Sequence, residues 1–287
     1  MSRPSRDHAR FLGGRGRVNR PRLPGAAQIV LRSMSNFVGR ISKGGVRIAD
    51  DFRDNLIIDR HDPAFVGMRT PKLGHLRSEN SEDAVTWNVF RSLRQIDPKA
   101  WLPELARRGL PQLTVLPPAG ASVSLWVSVS PPVSLLADGE EHPSEIDVIL
   151  EAPAWVWFIE AKFRSDISMR TTTRELRDQV LRNLDVGSYY AGVRDFYFSL
   201  LIADTERSPH GAEAVVRYAD LSEPRRLLAK HRPDGLANLK SVTLLRWSDL
   251  GAVLRAAAKS ARREDERGYA ERALTWLREK GLLENAA

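Results

Sequence analysis

Two β-rich runs, residues 144–151 and 155–163, are separated only by Ala152, Pro153 and Ala154. This spacing constrains the chain more than any other feature, because a connector so short makes the runs an antiparallel hairpin. Centring the turn between Pro153 and Ala154 sets Asp147 directly opposite Glu160, with Cβ atoms roughly 5 Å apart. Successive strand residues alternate faces, so Lys162 points to the same side as Glu160. The neighbouring positions are Ile146, Val148, Ile149, Val156, Phe158 and Ile159. Two carboxylates in such company repel one another and are costly to desolvate, so a positive charge is needed between them. Hard carboxylate oxygens suit Mg²⁺, with Mn²⁺ as the alternative.

Two further polar residues stand where apolar ones are expected. Residues 78–96 read as a helix, with Ser78 or Ser81 as cap and Val85, Val89, Leu93 and Ile96 at helical spacing. Glu82 heads that apolar stripe, so this acid also needs a partner. Residues 173–191 read as a second helix with a Thr cap, on which Gln179 falls between Leu176 and Val180 on the inward stripe. A lone amide there must be hydrogen-bonded.

The remaining elements follow from periodicity. Residues 123–129 alternate as a half-buried strand, with Val123, Leu125, Val127 and Val129 on one face. Residues 196–203 form a nearly continuous apolar run, expected of a strand buried on both faces. A last strand is expected at 241–246, a helix near 222–230, and two closing helices at about 248–262 and 264–280, the second stopped by Gly281. The prolines from Pro103 to Pro118 mark a loop-rich connection. The predicted fold is α/β, a mixed central sheet flanked by helices. Its segments are a basic flexible arm at 1–49, an extension packing on the core at 50–77, a core at 78–250 and C-terminal helices at 251–287.

In order along the chain, Ser-Glu82-Asp-Ala-Val on a helix, Glu-Ile-Asp147-Val-Ile on a strand, Phe-Ile-Glu160-Ala-Lys162 on the next strand and Asp-Gln179-Val-Leu-Arg182 on a helix resemble the PD-(D/E)XK, or restriction-endonuclease-like, phosphodiesterase superfamily. The resemblance covers about residues 78–203, and the strand and helix reaching Trp247 and Asp249 would complete the fold. It implies a metal-dependent nuclease in which Asp147 and Glu160 bind one or two Mg²⁺ ions and the Ala161 carbonyl completes the inner set. Glu82 would add a metal contact through water, Lys162 would orient the attacking water, and Gln179 would position water or nucleic-acid backbone. The chain departs from the motif at its first letter: Pro143, not a residue adjacent to Asp147, is the nearest proline. Asp97-Pro98-Lys99 also fits acid-x-Lys, but it follows a helix and contains proline, so it is set aside.

Composition narrows the function classes. With no cysteine, thiol catalysis, disulfides and Cys-based metal sites are excluded. The sequence holds no Walker A loop, no Rossmann glycine fingerprint and no G-x-S-x-G elbow, and its histidines are scattered. No apolar run reaches the roughly 18 residues of a membrane span, and no secretory signal follows the N-terminus, so a cytoplasmic protein without a membrane partner is expected.

Residues 1–49 carry eleven Lys or Arg and one acid, Asp7, a pattern shared by phosphate-binding arms, solvated tails and Arg-rich presequences. DNA is the expected partner, with Arg15, Arg17, Arg164, Arg174 and Arg182 as candidate contacts beside Arg170 and Arg177. Nothing here reads a 2′-hydroxyl, so RNA stays open. A homodimer would suit double-strand cleavage. Two other readings of the same residues remain: a catalytically silent nucleic-acid-binding or protein-interaction module of this fold, and a plain cross-strand ion-pair network.

Overall fold

A five-stranded mixed sheet runs in chain order from edge to edge. The structure, a computed structural model, describes residues 38–111, 119–133, 135, 141–171 and 177–284. The strands are β3 (Ser122–Val129), β4 (Ser144–Ala152), β5 (Trp155–Ala161), β6 (Asp195–Ile202) and β7 (Leu239–Arg246). β3, β4 and β5 pair antiparallel, whereas β5, β6 and β7 are parallel. The last three need crossovers, and the chain supplies them as helices.

Helices cover both faces. On one side lie α2 (Glu82–Arg94), α3 (Pro98–Gly109), α7 (Trp247–Ser260) and α8 (Glu264–Glu279); on the other lie α4 (Gln179–Ala191), α5 (Pro209–Ala219) and α6 (Ser222–Leu228). A short α1 (Thr70–Leu76) precedes them. The first core joins Val89, Leu105, Trp157, Ile159, Leu254 and Leu277; the second joins Phe158, Val180, Phe196, Phe198 and Tyr218. β5 and β6 lie between these cores and are buried almost throughout, as the apolar run at 196–203 predicted. Gly281 takes φ 68° just beyond α8, where a left-handed residue ends the helix.

Several expectations change. Within the segment read as a basic arm, β1 (Gly39–Ile41) and β2 (Arg47–Ala49) form an antiparallel hairpin; residues 1–37 lie outside the described set. The connection read as loop-rich begins with α3, despite Pro103 inside it. Asp97 caps this helix, accepting from Lys99 N at 3.0 Å, with Pro98 at its first position. Burial of Trp101, Leu102 and Leu105 outweighs the interior proline, which costs roughly 3 kcal/mol. α4 starts at Gln179, where Asp178 caps it by accepting from Leu181 N at 2.8 Å; residues 172–176, where the expected helix begins, lie outside the described residues. α5 arises within what reads as a polar connection.

β3 departs from simple alternation. Val123 and Leu125 pack with the first core, but Val127 and Val129 pack with the second. The switch falls at Trp126, whose φ of 54° is left-handed. A left-handed residue in a strand turns the following side chains to the opposite face. The ladder with β4 is regular on either side, Leu125 with Val148 and Val127 with Ile146, and is interrupted between them, at Trp126 and Asp147.

Candidate active site

The β4–β5 register runs from Ala152 opposite Trp155 to Val148 opposite Ile159. The paired register ends there, in the alignment that the hairpin arithmetic predicts; Asp147 and Glu160 are the next residues along the two strands, near enough that the charge of Glu160 acts on Asp147. Glu160 faces the α4 layer, bonded by Gln179 and Asn183 at the end of β5 where the chain leaves the sheet, and Asp147 reaches the same strand end through the Ala161 N–H. In an open α/β sheet the carboxyl ends of parallel strands are where ligands bind.

Glu160 is almost wholly buried and saturated with donors. Lys162 Nζ lies 2.7 Å from its Oε1, Gln179 Nε2 donates to the same oxygen at 2.5 Å, and Asn183 Nδ2 donates to Oε2 at 2.9 Å. Gln179 also accepts from Ser168 N at 3.2 Å, so it ties α4 to the segment that follows β5. Asp147 is half-buried, and its Oδ2 accepts from Ala161 N at 2.9 Å. Desolvation, reinforced by the charge of Glu160, lifts the Asp147 carboxyl well above its ordinary range. Burial alone would lower Lys162, but Glu160, Asp147 and Glu82 outweigh it and raise the ammonium above its ordinary value. Lys162 is therefore a fixed cation at neutral pH.

Glu82 reaches the site from the start of α2. Its Oε2 accepts from Phe163 N at 2.9 Å and from Ser165 Oγ at 2.6 Å, and its Oε1 is 3.4 Å from Lys162 Nζ. The buried partner expected for this acid is thus the backbone leaving β5. On the opposite side Trp247 Nε1 donates to the Lys162 carbonyl at 3.0 Å. The lysine is held at both its main chain and its ammonium.

No family model, curated protein or solved structure matches this chain. The functional reading rests on the residues and their geometry alone.

Among the described residues, no three His, Asp or Glu side chains converge as a metal cluster. The carboxylates at hand are those of Asp147 and of Glu160, the latter already accepting from Lys162, Gln179 and Asn183. Mg²⁺ is commonly held by one or two carboxylates, with water and substrate oxygens filling the other positions. An oxygen-only pair in which Asp147, among the described residues, is in no direct ion pair fits such an ion.

The arginines divide. Arg164 is exposed and stacks on Phe163, its guanidinium 5.3 Å from the ring centroid. Arg182 is half-buried and donates to the His142 carbonyl at 2.7 Å. Arg177 is not a free surface cation: it is buried in an ion cluster with Glu141 and Asp185. Arg15, Arg17 and Arg174 lie outside the described residues.

Sequence reasoning missed Asn183 and Trp247. Asn183 stands one helical turn after Gln179, and that i, i+4 spacing was the available signal. Nothing local marks the Trp247 indole as a partner of residue 162.

The described residues contain no helix long and apolar enough to cross a membrane.

Proposed function

We propose that this protein is a metal-dependent nuclease of the PD-(D/E)XK type that hydrolyses phosphodiester bonds in DNA. The observation that carries the reading is the meeting of Asp147, Glu160 and Lys162 at the end of β5, with Lys162 Nζ 2.7 Å from Glu160. A divalent cation held by Asp147 and Glu160 would offset the charge of the phosphodiester and acidify an attacking water. Lys162, fixed as a cation, presents positive charge to the phosphate where charge develops; with its raised pKa it is not a general base at neutral pH. Glu82 is a positioning residue that orients the 163–165 backbone beside that lysine. Gln179 and Asn183 hold Glu160 in one rotamer. A phosphate ester hydrolysed this way needs no covalent enzyme intermediate.

The test is cleavage of linear, circular and single-stranded DNA, and of RNA, with Mg²⁺, Mn²⁺ or EDTA. Wild type is expected to cut only with metal, and Lys162→Ala to lose at least about 10²-fold in rate. Retained cleavage in Glu160→Ala of intact fold would refute the mechanism. Binding without cutting in every condition would replace it with the silent nucleic-acid-binding reading.

A further inference from the structure

A cavity of about 240 Å³ lies beside the site and contains none of the residues assigned above to the reaction. The turn of the β1–β2 hairpin, at Gly44 and Gly45, forms one wall; Glu79, Arg164, Glu279 and Lys280 form others. The Arg164 wall adjoins the reacting centre. Arg164 follows Lys162 by two residues, at most about 7 Å along the chain, and Glu82 bonds the N–H of the intervening Phe163.

The two cations of the cavity lack carboxylate partners. Among the described residues neither Arg164 nor Lys280 is in an ion pair; Arg164 stacks on Phe163, while Lys280 Nζ lies 4.3 Å from the Trp276 ring centroid. Lys280 donates to the Glu79 carbonyl at 2.8 Å and lies 3.4 Å from Asn55 Oδ1, both uncharged acceptors. The acids present do not neutralise it. Glu79 Oε1 is taken by Arg47 N at 2.7 Å, and burial pushes the Glu279 carboxyl up. Burial, with the positive charges of Arg164 and Arg47, brings Lys280 down to about 8 against the pull of Glu79 and Glu279. An ammonium so placed gains from an anion. Gly45 contributes an open edge, since its φ of 80° requires glycine and a Cβ there would meet nothing within 4 Å.

We propose that this cavity is a second phosphate site, in which Arg164 and Lys280 grip a phosphate of the nucleic-acid strand adjacent to the one at Lys162. The identity of the strand rests on the nuclease reading; the anion chemistry does not. Such a site would set the strand's register on the enzyme, because phosphate contacts position a nucleic acid without reading its sequence.

The experiment is binding in EDTA, where no cleavage intervenes, by full-length wild type, Arg164→Gln and Lys280→Gln, with folding checked by circular dichroism. The probes are a single-stranded oligonucleotide with and without a 5′-phosphate, and inorganic phosphate. Each substitution is expected to weaken oligonucleotide binding about tenfold and to reduce the salt slope by about one. Inorganic phosphate should compete in wild type and lose that effect in both variants. A wild-type preference for the 5′-phosphorylated probe, lost in the variants, assigns the cavity to a strand end; equal affinities with the same loss assign it to an internal phosphate.

Arg164 is exposed, so its variant remains informative if Lys280→Gln unfolds. Unchanged affinity and salt slope in Arg164→Gln would overturn the proposal. Cleavage by wild type with metal would then leave the nuclease reading intact. Loss of binding in the variants without any wild-type cleavage would leave the phosphate site standing and remove the nuclease.

Discussion

Replacing Lys162 by Met tests whether the site holds itself together through a buried ion pair. The Lys162 and Glu160 side chains are 8% and 3% exposed, 2.7 Å apart. Removing one member of a buried pair costs about 3–5 kcal/mol, because the other charge stays buried without its counterpart. Here Glu160 keeps its bonds from Gln179 and Asn183, so the lower end applies, about 3 kcal/mol. Met retains most of the stem volume, which limits any cavity contribution. For an ordered unit of this size, that loss corresponds to a fall in Tm of roughly 6–12 °C.

Urea and thermal unfolding in EDTA would measure it. Glu160→Gln in the Lys162→Met background should return most of the loss, giving a coupling energy of about 2 kcal/mol. Added Mg²⁺ should raise the Tm of Lys162→Met more than that of wild type, since the single variant lacks its own cation. A loss under about 1 kcal/mol, or additivity of the two substitutions, would refute the reasoning.

Two other substitutions probe the α4 layer. Asp185 is fully buried and bonded to Arg177 at 2.8 Å, His231 at 2.7 Å and Arg232 at 3.0 Å, so Asp185→Asn should cost about 3–5 kcal/mol in urea unfolding. Burial would raise Asp185, but bonds from His231 and Arg232 and the charge of Arg177 hold it below its ordinary value. Its stabilisation is therefore present above its unfolded pKa and lost as pH falls through the folded one, so the gap between wild type and variant should narrow on acidification. Gly187→Ala would put a Cβ 2.1 Å from Phe196 Cζ and 2.9 Å from Phe158 Cδ2, and should lower stability by about 1–3 kcal/mol. Gly268→Ala, on α8 with Arg272 Nη1 at 3.5 Å as its nearest neighbour, should instead stabilise by up to about 1 kcal/mol.

The central hairpin was legible because a two-residue turn leaves little freedom of register: once Pro153 and Ala154 occupy the turn, Asp147 has to meet Glu160. Glu82 and Gln179 were legible as polar residues in apolar stripes, which announces a partner without naming it. Their partners, the Phe163 amide and the Glu160 carboxylate, depend on how layers stack and leave no local trace. The missed helices have particular reasons. Pro103 reads as a breaker, yet it is outweighed by buried tryptophan and leucine, and Pro98 stands at the first helical position, which favours proline. The face change in β3 was hidden because a tryptophan rarely takes a left-handed backbone, and valine alternation continues unbroken on both sides of it.

The order of the central sheet, each strand beside its successor in the chain, bears on how the site comes into being. A ribosome delivers β4 and β5 with only a tight turn between them, so the two acids are brought face to face before α4 and its amides have been made. Lys162 emerges two residues after Glu160 and can neutralise it at once. Later segments then close around a Glu160 already paired with a cation: α4 contributes Gln179 and Asn183, and the start of α7 contributes the Trp247 indole. The hairpin carries its own counterion from birth, and the protein can complete its fold without waiting for a metal.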